Sequence, residues 1–327
     1  MKNRYFDLID QTFYFPQEGF DISSQGTLDF HGIPLKHLVE KYGTPFKITY
    51  LPKIGSQIRK ARNLFTRAIK TTGYSGSYRY CYCTKSSHFS HIVEEALKHD
   101  VNLETSSAFD IDLIKRLYAK GKIDKEITIV CNGFKPINYL ERIVELINMG
   151  FRNVIPVADN IDEIAYYEAH VNDVCKLGIR IATEEEPNFE FYTSRLGIRN
   201  SEVLKFFQEK IKGNPKFQLK MLHFFVDTGI KDSMYYWGEL SKALKLYGQI
   251  KTESKDLDII NIGGGMPIRN SLGFEFDYKY MIKEIVKNIA RVCEEDEVPE
   301  PDIYTEFGKY TVGESGAVVF SVLAQKQ

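Results

Sequence analysis

Hydrophobic and polar positions along most of this chain follow two alternating patterns. Short apolar runs such as ITIVCNG and LDIINIGGG have the length and composition of buried strands. Longer segments follow them with apolar residues three and four positions apart, as in INYLERIVELINMG. The pattern predicts a succession of strands and amphipathic helices from about Thr44 onward. Strands joined by helices pair in parallel through right-handed crossovers.

The number of these units favours one of two folds. About nine strand–helix units or part units follow residue 43, and a closed (β/α)8 TIM barrel accommodates them naturally. An open doubly wound sheet is the alternative, although the first βα turn lacks the GxGxxG of its dinucleotide-binding version. We therefore predict an α/β protein with a (β/α)8 barrel over residues 44–327. Residues 1–43 are predicted to be a lead-in with a short strand, GTLDFHGIPL, and a helix, LKHLVEKYG.

Composition and charge exclude several classes of protein. The 327 residues are 43% hydrophobic and 27% charged, which is typical of a soluble globular protein with a large core. A formal net charge of −1 offers no basic field for nucleic acid or anionic membranes, and no apolar run has the length of a membrane span. The five cysteines are odd in number and lack zinc-ligand spacing, which favours buried thiols in the cytoplasm and no metal site.

The stretch YRYCYCTKSS predicts a buried strand that ends at Lys85, directly before a helix. In a (β/α) barrel that end of a strand faces the active site. A lysine held there among apolar neighbours can lose its proton and attack a carbonyl carbon. By itself, a solvated lysine at a strand end is the more frequent explanation, so the interpretation depends on the other strand ends.

Two later strand ends carry residues suited to an anion and to a ring nitrogen. Gly263, Gly264 and Gly265 follow the strand LDIINI, and their N–H groups could approach an anion closely, although a flexible loop is the alternative. Glu306 ends the strand DIYTE. A carboxylate there could hold a protonated ring nitrogen by a charge-assisted hydrogen bond, or could be an ordinary surface glutamate.

Polar residues within strands raise similar alternatives. Arg180 and Glu104 lie among apolar strand residues, where each needs a charged or polar partner, in a salt bridge or in a ligand. His223 and Phe225 lie two positions apart in LHFFVDTG, so both face the same side of the strand. One of them could stack on a flat cofactor, although aromatic residues on strands more often belong to the core.

Taken together, six segments resemble the fold-type III pyridoxal-phosphate decarboxylases, which include the ornithine, diaminopimelate and biosynthetic arginine decarboxylases. In chain order they are YCTKSS, IRIAT, SRLGI, HFFVDTG, NIGGGMP and EFGKYTV. The resemblance implies pyridoxal phosphate as cofactor, with Lys85 binding its aldehyde and Arg180 nearby. It further implies that Gly263, Gly264 and Gly265 hold the phosphate and that Glu306 faces the pyridine nitrogen. Lys85 and Glu306 would be the catalytic residues.

The chain departs from the family pattern at three of these positions. Phe225 replaces the family's ring-stacking histidine, while His223 lies two residues earlier. A phenyl ring can stack but cannot donate a hydrogen bond. Thr228 replaces a phosphate-binding serine, and Lys309 replaces an arginine and can reach phosphate only as a point charge. We expect all four to be cofactor-binding residues.

Within the family, IVCNGFK and LHFFVDTGI resemble the biosynthetic arginine enzymes. This implies decarboxylation of L-arginine to agmatine in polyamine biosynthesis. Decarboxylation of ornithine, diaminopimelate or carboxynorspermidine remains open, as does a non-catalytic homologue that regulates a full-length enzyme. Racemisation is disfavoured by Glu306, because alanine racemase, which shares the fold type, keeps no glutamate on the pyridine nitrogen.

The resemblance also concerns assembly. Members of the family are dimers in which a C-terminal β domain contributes to the partner's site. This sequence ends at Gln327, soon after the predicted barrel. We therefore expect a homodimer, a small amino-acid substrate, and a β domain that is absent or truncated.

Overall fold

The computed structural model describes residues 18–183, 196–269 and 273–325. Fourteen strands are present there. They are β1 Phe20–Ile22, β2 Leu28–Phe30, β3 Ile33–Pro34, β4 Phe46–Thr49, β5 Tyr78–Cys83, β6 Asn102–Thr105, β7 Thr128–Cys131, β8 Asn153–Ala158, β9 Cys175–Ala182, β10 Ile198–Arg199, β11 Phe217–Phe224, β12 Ile259–Asn261, β13 Asp302–Thr305 and β14 Gly316–Val319.

Ten α-helices lie between these strands in the described part of the chain. They are α1 Leu35–Tyr42, α2 Leu51–Thr72, α3 Ser90–Leu97, α4 Ala108–Ala119, α5 Ile137–Asn148, α6 Glu163–His170, α7 Asn200–Phe206, α8 Met234–Glu253, α9 Tyr278–Glu295 and α10 Gly308–Val312. None of the described helices is both long enough and apolar enough to cross a membrane.

Eight of the strands close into a parallel barrel. Their order around the ring is β5, β6, β7, β8, β9, β11, β12 and β13, and β13 pairs in parallel with β5 to complete it. The short strand β10 pairs in parallel with the last two residues of β9. The (β/α)8 barrel predicted from the alternation of strands and helices is therefore confirmed.

The barrel has an inner and an outer apolar layer, which is why its strands are apolar on both faces. The inner layer consists of seven side chains, Cys81, Val130, Ile155, Val157, Met221, Ile259 and Tyr304. The larger outer layer lies between the strands and the surrounding helices, where residues such as Leu103 and Ile285 are fully buried. Because both faces of the barrel strands are apolar, the polar residues that can form a site are those that follow the strands, at the barrel mouth.

The first predicted strand–helix unit does not contribute a strand to the barrel. Strand β4 instead pairs antiparallel with β14, and the two form a separate sheet. None of the four residues of β4 is fully buried, whereas the last four residues of β5 are. Strand β4 makes its backbone hydrogen bonds with β14, outside the barrel. The alternation of strands and helices in the sequence could not distinguish it from a barrel strand. Strands β1, β2 and β3 form a third, antiparallel sheet before α1. The division at residues 43 and 44 remains a prediction.

Candidate active site

A cavity of about 560 Å³ opens at the carboxyl ends of the barrel strands. Eight of the ten residues predicted from the sequence to form a site line it, although they come from strands far apart in the chain. They are Lys85, Arg180, His223, Phe225, Gly264, Gly265, Glu306 and Lys309. Closure of the ring brings the ends of β5, β9, β11, β12 and β13 to one face, as expected for a parallel barrel.

Lys85 lies in a single 3₁₀ turn, Thr84–Ser86, directly after β5. Its half-exposed side chain reaches the cavity, and Nζ donates a hydrogen bond of 2.7 Å to Oε1 of the fully buried Glu104. Burial by itself lowers the pKa of Lys85, but the negative charges of Glu104 and Glu306 outweigh it and raise that pKa overall. Lys85 is therefore paired with a carboxylate here, and its loss of a proton to attack a carbonyl carbon stays a prediction. The argument from the sequence considered the apolar neighbours of Lys85 within its own strand. The adjacent strand β6 places Glu104 opposite Cys83, close to the lysine.

Glu306 is a buried carboxylate held by two amide side chains. Asn132 Nδ2 lies 2.8 and 2.9 Å from its two oxygens, and Asn261 Nδ2 donates to Oε1 at 2.6 Å. Burial opposes ionisation, but His223, Lys85 and the Asn132 amide together lower the pKa of Glu306 below its usual value. These contacts favour an anion in the cavity at neutral pH.

His223 is buried beside this carboxylate, with Nε2 3.5 Å from Oε2 of Glu306. Burial lowers the pKa of His223, although the neighbouring Glu306 carboxylate acts in the opposite direction. Glu104 behaves oppositely to Glu306. Burial raises the pKa of Glu104, and Lys85 offsets only part of that effect. The two carboxylates thus differ in their tendency to hold a proton.

The turn after β12 is shaped by glycines. Gly263 has φ +69° and Gly265 has φ +89°, a region that favours glycine. The Gly263 N–H donates to Oδ1 of Asn261 at 2.9 Å, so it is not available to a phosphate. The N–H groups of Gly264 and Gly265 make no hydrogen bond to the residues that the structure describes. They are the two donors that this turn can offer an anion.

The remaining predicted residues occupy the rim or lie next to it. Thr228 belongs to a turn in which the Gly229 N–H donates to the Val226 oxygen at 2.9 Å, and it does not line the cavity. Lys309 lines the cavity from the start of α10. The guanidinium carbon of Arg180 lies 5.9 Å from the centre of the Phe225 ring, within the range of a cation–π contact. Of the SRLGI segment, residues 194 and 195 lie outside the described residues.

Sequence reasoning missed both amide side chains that donate to Glu306. It used Asn132 only as part of the CNGFK segment and did not single out Asn261, yet both donate to Glu306. Each is the last residue of a strand, or directly follows one, and both are buried. Both could have been predicted from the sequence, because each is an asparagine at the end of an apolar strand in a chain whose other strand ends are also polar.

The cavity fits pyridoxal phosphate by the chemistry of its walls. Several buried polar atoms that face the site lack a hydrogen-bond partner among the described residues: Oε2 of Glu104, Oδ1 of Asn132 and both ring nitrogens of His223. An amine, a buried carboxylate and two free glycine N–H groups match an aldehyde, a pyridine nitrogen and a phosphate. In the same part of the chain, no group of three or more His, Cys, Asp or Glu side chains could hold a metal ion.

Comparisons with known proteins identify the family of the chain. Residues 54–313 match the family model for the pyridoxal-binding domain of pyridoxal-dependent decarboxylases. A biosynthetic arginine decarboxylase of Alkalilimnicola ehrlichii is 23% identical over 98% of the chain and 52% of its own length. The solved biosynthetic arginine decarboxylase of Campylobacter jejuni has a TM-score of 0.73 at 20% identity, covering 92% of this chain and 52% of that one. A diaminopimelate decarboxylase of M. jannaschii has a TM-score of 0.78 at 17% identity, covering 93% and 70%.

Proposed function

Because the chain belongs to the family of pyridoxal-binding domains of pyridoxal-dependent decarboxylases, we propose that it binds pyridoxal phosphate at the barrel mouth and decarboxylates L-arginine to agmatine. Membership confirms the family and the cofactor predicted from the six sequence segments. The chain spans about half the length of the curated relatives that it matches, 52% and 49% for the first two. The activity, the substrate and the assembly are therefore our proposals.

One observation carries the proposal. The Lys85 amine, the buried Glu306 carboxylate and the free N–H groups of the glycine turn line a single cavity of about 560 Å³. A solvated lysine, a surface glutamate and a flexible glycine loop would each be ordinary features alone. A cavity bounded by all three has the groups needed to hold the aldehyde, ring nitrogen and phosphate of one molecule.

The residues would divide the work as follows. Lys85 would hold the cofactor covalently through Nζ, and Glu104 beside it would take up the proton that the amine must release. Glu306 would keep the pyridine nitrogen protonated, because an anion fixed in a buried site favours the charged form of its partner. Pyridoxal phosphate, when bound, supplies a ring that accepts the electrons of the bond broken on loss of carbon dioxide.

The other contacts would fix the position of the ring. Gly264 and Gly265 would donate their N–H groups to the phosphate, with Lys309 as a nearby positive charge. Thr228 and Gly263 would shape these turns, and Phe225 or His223 would contact the ring face, with Arg180 lying over Phe225. We also infer a homodimer from the family resemblance. A cytoplasmic location agrees with five buried cysteines that form no disulfide.

The test begins with cofactor binding by the full chain. Purified protein mixed with pyridoxal phosphate is expected to gain the visible absorbance of a lysine-bound cofactor, and borohydride followed by peptide mapping is expected to mark Lys85. Lys85→Ala should abolish both signals, because Lys85 is the amine proposed to bind the aldehyde. Lys98→Ala is the matched control, since Lys98 is an exposed lysine paired with Glu95 on the helix that follows, and it should leave both signals unchanged.

Release of carbon dioxide from L-arginine, L-ornithine, meso-diaminopimelate and carboxynorspermidine then tests the substrate. Arginine is expected to give the highest kcat/KM. Borohydride marking of a different lysine would overturn the assignment of Lys85. Binding at Lys85 without carbon dioxide release from any substrate would instead favour a non-catalytic regulatory partner.

A further inference from the structure

The amide of Asn132 touches both buried carboxylates of the site. Its Nδ2 atom lies 2.8 and 2.9 Å from the Glu306 oxygens and 3.1 Å from Oε1 of Glu104. Its exposed fraction is only 4%, so its contacts are mostly with protein atoms. Asn132 directly follows β7, and it reaches Glu104 on the neighbouring strand β6 and Glu306 after β13.

The orientation of this amide is fixed by its surroundings. Its NH2 group faces two carboxylates, which can only accept hydrogen bonds while ionised. A flipped amide would place its oxygen against them, at a large electrostatic cost. The Asn132 oxygen has no partner among the described residues, so no acceptor contact holds the side chain. Donation to the two carboxylates is therefore what this side chain contributes.

Asn261 provides a natural comparison. Its Nδ2 also donates to Oε1 of Glu306, at 2.6 Å, and its oxygen accepts the Gly263 N–H. It makes no described hydrogen bond to Glu104. Of the two carboxylates, Asn261 therefore donates only to Glu306, whereas Asn132 donates to both Glu306 and Glu104.

We propose that Asn132 is a positioning residue that couples the two halves of the site, holding Glu306 toward the cofactor ring and Glu104 against the Lys85 amine through a single NH2 group. The inference rests on the proposed function, because it assigns Glu306 to the ring and Lys85 to the aldehyde. Donation to Glu104 stabilises its anion, and the anion in turn keeps the Lys85 ammonium ion paired. Loss of Asn132 would therefore release the Lys85 amine at lower pH.

The experiment measures the reactivity of Lys85 without the cofactor. The cofactor-free full chain is labelled with an amine-specific acylating reagent across a pH series, and mass spectrometry gives the labelling rate at Lys85. Asn132→Leu keeps the side-chain volume but removes the donor, and Asn132→Ala is the second variant. At a pH below the midpoint of the wild-type labelling curve, both variants are expected to increase the labelling rate about tenfold. This is the change expected when one charge-assisted hydrogen bond is lost.

Asn261→Leu is the matched control. It removes a donor from Glu306 but none from Glu104, so labelling of Lys85 is expected to stay within about twofold of wild type. Thermal unfolding identifies any variant that is not folded, and only folded variants enter the comparison. An unchanged Lys85 profile in the folded Asn132 variant, or equal changes in the Asn132 and Asn261 variants, would overturn the coupling role. Pyridoxal phosphate binding by the wild type, measured separately, decides whether the proposed function itself stands.

Discussion

Lys135 is a fully buried ammonium group whose partners explain its position. Nζ lies 2.9 Å from Oε2 of Glu163 and donates to the carbonyl oxygens of Gly133 and Val157 at 2.9 and 2.6 Å. Burial raises the pKa of Glu163, and Lys135 only partly offsets this. The pair ties the loop after β7 to the start of α6 at the edge of the proposed site. Removal of one member leaves the other as an uncompensated buried group.

We therefore predict that Lys135→Met lowers the free energy of unfolding by about 3–5 kcal/mol at neutral pH. Without Lys135, the pKa of Glu163 rises further in the folded state, so folding takes up a proton. The stability deficit is then greatest above that pKa and shrinks as the pH falls through it. Urea denaturation at several pH values measures both effects.

A double variant and an exposed pair control this experiment. Lys135→Met combined with Glu163→Gln should lose less stability at neutral pH than Lys135→Met alone, because no buried charge remains. Lys287→Met breaks a surface pair with Glu284 and should cost less than about 1 kcal/mol. A Lys135→Met variant as stable as Lys287→Met, or with a deficit that grows at low pH, would contradict the interpretation.

At the scale of elements, two turns at the barrel mouth pack glycine against glycine. A Cβ atom on Gly265 would lie 2.6 Å from Cα of Gly229 and 3.2 Å from the Ile230 nitrogen. The Ile230 N–H also donates to the Gly265 oxygen at 3.0 Å. The turns after β11 and β12 are thereby held as one surface. Their close approach leaves no space for a side chain, even apart from the positive φ of Gly265.

Gly265→Ala is expected to weaken pyridoxal phosphate binding at least tenfold and to destabilise the fold by more than the roughly 1–2 kcal/mol of left-handed strain alone. The two turns must separate, and the free N–H groups move with them. Gly121→Ala isolates the strain, since Gly121 has φ +65° and a Cβ atom there would have no atom of the described residues within 4 Å. It should leave cofactor affinity unchanged. Titration of the visible absorbance and urea denaturation measure the two effects, and equal affinities for both variants would contradict the packing argument.

The strand ends were the predictable part of the site. Lys85, Glu306 and the glycine turn each follow an apolar run, and parallel strands bring their carboxyl ends to one face. Their partners were less accessible to sequence reasoning. The Lys85–Glu104 contact joins residues 19 positions apart, and the Asn132–Glu306 contact joins residues 174 positions apart. Such contacts depend on ring closure and side-chain orientation, which no local pattern encodes.

The closure of the barrel is a property of the whole molecule, and Gly178 lies at one of its tightly packed strand pairings. Gly178 pairs with Val157 where β9 meets β8, and a Cβ atom there would lie 3.0 Å from Cγ2 of Val157 and 3.4 Å from Cβ of Met221. Both neighbours belong to the inner apolar layer. The absence of a side chain at Gly178 thus lets β8 and β9 pair around a filled barrel interior.

A closed ring has no barrel strand that can detach without breaking two pairings, so we predict that its buried thiols become reactive together. The five cysteines are free and buried, and burial raises the pKa of each thiol. They are Cys81, Cys83, Cys131, Cys175 and Cys293. Without denaturant, iodoacetamide should label all five slowly, at rates within a few-fold of one another, because the unreactive protonated form persists until the fold opens.

Gly178→Val tests whether this shared rate is set by closure of the ring. Valine overfills the inner layer where β8 pairs with β9 and should lower the free energy of unfolding by about 1–3 kcal/mol. If the barrel opens as one unit, labelling of all five thiols should accelerate by the same factor, including that of Cys293 on the outer helix α9. If site-resolved mass spectrometry showed that only Cys175, on the substituted strand, became reactive, β9 would open independently of the rest of the ring. A uniform acceleration of labelling would mean that the barrel opens as one unit. Because the walls of the cavity come from strands around the whole ring, the cavity would then keep its shape only while every strand pairing is intact.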